Sequence, residues 1–312
     1  MAKGKKSSLK SALVSQQTRL KKKQEVAEAA KLTEQKSKSK RNPRDKGKGK
    51  AQPLPTIPFK ATDKLLLIGE GNFSFARALV VNPPDALQFL PPENITATAY
   101  DSREECFSKY PDAAQIVEQL SAKGVKIVFG VDATKLENCS VLKNRRFDKI
   151  VWNFPHAGKG ITDQDRNILS NQVLLLGFLQ SASNLLNLGP KPNATRSKKK
   201  KARGSDDEDD SGTDNGEGMS QTASSRGTIL ITLRNVPPYT LWDLPQLAKS
   251  PPPSKSPNIP RNPFYTQLRS FVFHREIWKG YEHRMTKGER AHGQGTTGVG
   301  GEDRTWEFYL RD

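Results

Sequence analysis

The sequence predicts an α/β fold, a doubly wound, Rossmann-like sheet of seven strands whose last two form an antiparallel pair. Three observations point to it. Apolar runs of strand length alternate with segments of helical period from about residue 64 to residue 249. The first run, Leu65-Leu66-Leu67-Ile68, breaks abruptly into Gly69-Glu70-Gly71-Asn72-Phe73-Ser74, a Gly-x-Gly turn ahead of a helix-compatible segment. After residue 249 the alternation stops. Phe271 to Trp278 and Trp306 to Leu310 then read as two strands joined by a Gly-rich loop without a helix, so they are expected to pair antiparallel.

Taken in order, strands are expected at 64–68, 95–100, 125–129, 147–153 and 228–234, and helices near 73–81, 103–122, 134–143, 163–188 and 240–249. The first strand carries no charge, as a strand covered on both faces should. Pro83 to Asn94 is an irregular loop that lengthens the path to the second strand. The helix at 134–143 is short and weakly patterned. The helix at 163–188 starts at Thr162-Asp163, keeps an apolar face with Val173, Leu176, Leu179 and Leu186, and stops at Leu188-Gly189-Pro190.

The chain has 312 residues and a net charge of +18, unevenly spread. Residues 1–60 hold 18 Lys and Arg against 4 Asp and Glu, while residues 61–312 hold 33 against 29. The basicity therefore belongs to a tail poor in aromatics, which cannot bury enough apolar surface to offset its chain entropy. A disordered basic arm is expected at 1–60, suited to polyanions and to nuclear or nucleolar targeting, and ending in the Pro-rich stretch 53–58. A folded domain is expected at 61–312. It carries a low-complexity insertion at 189–227, where Lys198 to Lys201 precede the acidic run Asp206 to Asp210. Two cysteines, Cys106 and Cys139, make neither a disulfide framework nor a zinc site. No apolar run reaches membrane-spanning length, and the N-terminus lacks a signal-peptide core, so a soluble, intracellular protein is expected.

In a doubly wound sheet, ligands bind beyond the carboxyl ends of the strands. The first strand delivers Gly69, Glu70, Gly71, Asn72, Phe73 and Ser74 there. The second ends at Tyr100-Asp101, where a carboxylate can accept from ribose hydroxyls. The third ends at Gly130-Val131-Asp132-Ala133, where Asp132 can meet an exocyclic adenine amine. An aspartate after a strand also serves as a turn or cap residue, but two in successive units after a Gly-x-Gly loop favour an adenosine ligand. The fourth strand ends at Asn153-Phe154-Pro155-His156. Proline holds the preceding backbone extended, so Asn153 and its carbonyl offer hydrogen-bond acceptors beside the flat face of Phe154. That combination suits a planar base, and a nicotinamide enzyme would not need it.

The stretches Gly69 to Phe75, Tyr100 to Ser102, Asn153 to His156 and Leu233 to Tyr239 resemble the eukaryotic large-subunit ribosomal RNA (uridine-N(3)) methyltransferase family over about 62–312. The resemblance implies a Rossmann-like methyltransferase sheet, S-adenosylmethionine as cofactor, and methylation of a uridine in large-subunit ribosomal RNA in the nucleolus. It implies a cofactor site of Gly69 to Ser74, Asp101, Asp132 and Ala133, with catalytic roles for Asn153, Phe154, Pro155 and His156. Two departures stand out. Leu67 occupies a position often acidic in methyltransferases, so the methionine amine must be met otherwise, by Asn72 or by backbone carbonyls. Ser74 replaces a third glycine. Asn153 is expected to orient the base and Phe154 to stack on it. His156 is a candidate for taking the imino proton, with a plain turn residue as its rival role. The loop after the sixth strand overhangs the same face, and its His283, Arg284 and Lys287 are expected at RNA phosphates, His283 also being a second possible base. A monomer is expected. A same-fold methyltransferase with another substrate, and a non-catalytic ribosome-assembly factor, remain alternatives.

Overall fold

β1 (Leu65–Ile68) is buried along its whole length. Its side chains alternate, Leu65 and Leu67 entering one core and Leu66 and Ile68 the other. The structure, a computed structural model, describes residues 54–192, 225–253, 261–284 and 301–312, all within the unit Leu54–Asp312. β2 (Ile95–Thr98) and β4 (Lys149–Asn153) flank β1, both parallel to it. β3 (Lys126–Val128) pairs parallel with β2, and β5 (Thr228–Arg234) parallel with β4. β7 (Asp303–Leu310) runs antiparallel to β5, and β6 (Tyr265–Val272) antiparallel to β7. The order β3-β2-β1-β4-β5-β7-β6 reverses between β1 and β4. At such a switch point the loops after neighbouring strands diverge and open a crevice.

Helices cover both faces. α1 (Ser74–Val80), α2 (Arg103–Lys109) and α3 (Ala113–Ala122) bury Phe75, Leu79, Cys106, Ile116 and Leu120 in one core. α4 (Gln164–Ser183) and α5 (Leu244–Lys249) bury Leu175, Phe178, Leu179, Leu244 and Ala248 in the other. β7 is pinned from within by Glu307, fully buried, which accepts from Lys149 at 2.7 Å, Thr228 at 2.8 Å and Arg269 at 2.6 Å. Burial alone would raise the pKa of Glu307, but the two cations and their hydrogen bonds outweigh it and lower the value.

Several elements depart from the sequence expectation. The helix expected at 103–122 is two helices. α2 opens with a capping box between Ser102 and Glu105, and Pro111 holds Tyr110 extended and ends it. The helix expected at 134–143 is a single 3-10 turn, Leu136–Asn138. Upstream, Asp132 Oδ1 accepts from both the amide and the hydroxyl of Thr134, a local turn that competes with helix formation. α4 ends at Ser183, because Leu186 bridges to Phe147 instead. The segment 240–249 splits into a 3-10 turn, Tyr239–Trp242, and α5, with Asp243 between them at φ 50°. The sixth strand lies at Tyr265–Val272, not at 271–278. The apolar run that suggested it is loop packing, with Phe273 stacked on Trp278 at 6.4 Å. Phe59, placed by sequence in the tail, is buried against Trp278 at 5.8 Å. The rest of the tail, residues 1–53, and most of the insertion, 193–224, lie outside the described residues. The ends of that insertion meet, Arg226 N donating to Pro190 O at 3.0 Å.

Candidate active site

The glycine loop is shaped by what stands behind it. Gly69 has φ +62°, and a Cβ there would lie 2.9 Å from Trp152 Nε1 on β4, so only glycine fits. At Gly71 a Cβ would meet Tyr110 and Arg284 at 3.3 Å. Phe73 adopts φ 61° without being glycine, a strained conformation of the kind found at ligand sites. Its ring is buried against Phe129 at 5.4 Å, so it shapes the loop from the core side. Asn72 is also buried. Its Nδ2 donates to Asp112 Oδ2 at 2.8 Å, and its Oδ1 accepts from Ser74 N at 3.2 Å. Both ends of the amide are thus used inside the protein. Glu70 folds back over α1, accepting from Ala76 N at 3.2 Å. Burial pushes its pKa up to about 7 against the pull of that bond and of the Phe75 amide.

At the end of β2, Asp101 is ion-paired with Lys109 at 2.5 Å, and its carbonyl accepts from Gly130 N at 3.0 Å, tying the second loop to the third. Asp132 and Ala133 follow β3. At the end of β4, Asn153 Oδ1 accepts from Thr232 Oγ1 at 2.9 Å, and Thr232 in turn bonds Thr305 at 2.8 Å. This fixes the amide with its Nδ2 as the remaining donor, whereas the sequence suggested an acceptor. Phe154 is half-buried at φ 53°, in the left-handed region and not in the extended conformation expected before Pro155. Its ring lies 4.3 Å from the His283 ring and 4.9 Å from the Arg275 guanidinium. Pro155 is buried. His156 is exposed, and its Nδ1 accepts from Gly158 N at 2.9 Å. The proton therefore sits on Nε2, and the ring presents a donor, which counts against His156 as the proton acceptor. Burial of part of the ring lowers its pKa.

The fourth wall arrives from beyond β6. Ser74 Oγ donates to Glu282 O at 3.0 Å and accepts from Glu282 N at 3.1 Å. Arg284 pairs with Asp112 at 3.1 Å and Glu282 at 2.7 Å. His283 is half-buried, and desolvation, with the positive charges of Arg275 and Arg234, pushes its pKa down to about 4. His283 and Arg284 thus line the smaller cavity, on the face that the loop after the sixth strand was expected to overhang. Lys287 lies outside the described residues.

Two cavities share Gly69, Tyr100 and Phe154 as a common wall. The smaller, about 100 Å³, is lined by Glu70, Gly71, Asp101, Asn153, Glu282 and Arg284 among others. The larger, about 540 Å³, lies against Asp132, Ala133, Pro155, His156, Val173 and Leu174, within the ~300–1,000 Å³ range of small-molecule sites. Except for Phe73 and Lys287, the residues singled out in the sequence meet at this pair of cavities. Sequence reasoning missed Tyr110, Asp112, Trp152 and Thr232. Pro111 could have flagged the first two as a helix break; the others carry no local signal.

This sheet, with a glycine loop after β1 and carboxylates after β2 and β3, defines a methyltransferase of the Rossmann-like class. Residues 66–285 match the family described as rRNA (uridine-N3-)-methyltransferase BTM5-like, and the chain belongs to that BMT5-like family. The chain is 32% identical over 254 residues to the 25S rRNA (uridine(2634)-N(3))-methyltransferase of Saccharomyces cerevisiae, a match covering 75% of this chain and 69% of that protein. It is 26% identical over 233 residues to the heavy metal-associated isoprenylated plant protein 41 of Arabidopsis thaliana, covering 74% of this chain and 35% of the relative. Over 123 residues it is 37% identical to the ferredoxin-fold anticodon-binding domain-containing protein 1 homolog of Mus musculus, covering 39% of this chain and 18% of the relative. The chain thus spans about a third or less of the latter two. Among the described residues no group of His, Cys, Asp or Glu could hold a metal ion, and no helix is long and apolar enough to cross a membrane.

Proposed function

We propose that this chain transfers a methyl group from S-adenosylmethionine to N3 of a uridine in large-subunit ribosomal RNA. The observation that carries the reading is the Asn153 amide, held through Thr232 with its donor end remaining and set beside the ring of Phe154. Uridine has a carbonyl oxygen on each side of N3, so a donor at this point grips the base and presents N3, while the aromatic ring supports its face. A base in a duplex must leave the stack to reach such a pocket.

The residues present fit the cofactor. Gly69, Glu70 and Gly71 line the smaller cavity, so the loop faces the crevice, while the missing Cβ at Gly69 makes room for Trp152 behind it. The carboxylates of Asp101 and Asp132 suit ribose hydroxyls and the adenine amine, and Val131, Val173 and Leu174 supply apolar walls for the adenine ring. When bound, S-adenosylmethionine supplies an electrophilic methyl group. N3 loses its proton as it gains the methyl, and we assign His283 as the acceptor. It lies against Phe154 and stays neutral at neutral pH, so one ring nitrogen keeps a lone pair. A weak base suffices because the N3 proton becomes strongly acidic as the new bond forms. His156, with Nε2–H outward, serves as a donor to the substrate.

The basic arm, residues 1–60, fits contacts to phosphates and a nucleolar address, and the enzyme works as a monomer in this reading. The test is a mass-spectrometric inventory of methylated nucleosides in ribosomal RNA with and without the protein. Loss of 3-methyluridine in its absence, restored by the intact chain and not by Asn153→Ala, is expected; an unchanged inventory overturns the reading. Deleting residues 1–52 should weaken RNA binding and flatten its salt dependence while cofactor binding is kept.

A further inference from the structure

We propose that Arg284 is the recognition residue for the amino-acid end of the cofactor, pairing with its carboxylate in the smaller cavity. The proposal rests on the reading of the crevice as an S-adenosylmethionine site and goes beyond it by assigning the end that the glycine loop leaves unaccounted for.

The amino-acid end of this cofactor is a zwitterion, so a site for it needs a fixed cation and nearby anions. The larger cavity, with Asp132, Ala133 and apolar walls, suits adenine. The shared wall of Gly69, Tyr100 and Phe154 carries the ligand into the smaller, polar cavity. Among the described residues lining that cavity, Arg284 is the one arginine or lysine, against the carboxylates of Glu70, Asp101 and Glu282. His283 stands there too, but as a neutral ring.

Arg284 is also held for the task. Asp112 Oδ2 accepts from both Asn72 Nδ2 at 2.8 Å and Arg284 Nη2 at 3.1 Å, and Glu282 Oε2 lies 2.7 Å from the same nitrogen, which fastens the guanidinium beside the glycine loop. The same arginine's Cβ stands 3.3 Å from where a Cβ on Gly71 would be. Asn72, which the sequence offered as a contact to the methionine amine, instead positions Arg284 through Asp112. Leu67, at the position often acidic in methyltransferases, is buried in the core and cannot reach a ligand. A planar fork of donors matches a carboxylate in a way that a flexible ammonium does not.

The experiment compares two ligands by calorimetry on the full chain: S-adenosylhomocysteine, which keeps the amino-acid end, and 5′-methylthioadenosine, which lacks it. Arg284→Gln should weaken S-adenosylhomocysteine about ten- to a hundredfold and leave 5′-methylthioadenosine unchanged, which also shows that the variant is folded. Arg284→Lys should recover part of the loss. An equal loss for both ligands would mean that Arg284 only braces the loop. Unchanged nucleoside binding with weakened RNA binding would make it a phosphate contact. Either result overturns the assignment. If the unsubstituted chain binds neither ligand, the cofactor reading itself fails.

Discussion

The glycine loop and the segment from Phe273 to Arg284 build facing walls of one cavity, but they are anchored differently. The loop is held within itself and by the sheet and helices behind it: Ser74 N on Asn72 Oδ1, Ala76 N on Glu70, Glu70 N on Thr98 O at 2.8 Å, and Asn72 on Asp112. The later segment is held by partners some two hundred residues away: Ser74 on Glu282, Arg77 on Gly280 O at 3.1 Å, and Phe75 on Tyr281 at 5.5 Å. The loop keeps anchors apart from the segment, so the dependence is expected to run one way. Disturbing the loop should release the segment, whereas disturbing the segment should leave the loop largely in place. Two of the four non-glycine residues at positive φ among the described residues, Phe73 and Phe154, lie in this region.

The largest effect should come from Gly69→Val. The site requires φ +62° and has no room for a Cβ before Trp152, so stability should fall by about 1–3 kcal/mol or more and nucleoside binding should be lost. Urea unfolding and calorimetry measure both, and hydrogen exchange should rise at 280–284 as well as at 69–74. Retained protection at 280–284 would break the one-way dependence. Gly71→Arg, beside Tyr110 and Arg284, should abolish cofactor binding in a chain that still folds.

Asn153→Ala should lower the methylation rate about 10²–10³-fold, the scale seen when one preorganised donor is removed, with S-adenosylhomocysteine affinity unchanged. His283→Ala should slow methylation more than His156→Ala does. The reverse order in single-turnover assays would return the proton to His156.

Ser74→Ala sharpens the comparison from the other side. It leaves Glu282 N without its hydroxyl partner, a loss of about 1–3 kcal/mol, which should raise hydrogen exchange near Glu282 while the amides of 69–72 change little. Equal loosening of both walls would show that the loop leans on the segment after all.

The smallest effect concerns Glu70. Its folded pKa of about 7 lies above the ordinary 4.5, so the folded state binds more protons than the unfolded one between those values, and the contribution of Glu70 to stability declines as pH rises through that window. Glu70→Gln keeps an acceptor for Ala76 N and removes the titration. The variant should gain on the parent between about pH 5 and about pH 8, as read from denaturation midpoints at each pH. Parallel profiles would show that Glu70 is ionised with its ordinary pKa.

The amino-acid sequence by itself determined the parts that depend on neighbours in the chain. An uncharged run such as Leu65 to Ile68, ended by a Gly-x-Gly turn and followed by a helical period, reads as a strand covered on both faces that leads into a ligand loop. Hence the β1 loop, the carboxylates after β2 and β3, and the Asn-Phe-Pro-His corner after β4 were all legible. What the tertiary structure decided is where partners distant in sequence meet. Trp152 enforces Gly69, Thr232 fixes which end of the Asn153 amide remains, and Asp112 ties Arg284 to the glycine loop. The sixth strand moved for the same reason: hydrophobicity marks burial, but it does not say whether a buried residue lies in a strand or, like Phe273 and Trp278, packs from a loop. Local pattern fixes backbone conformation and burial. Side-chain orientation and charge pairing depend on contacts that only the closed fold brings together.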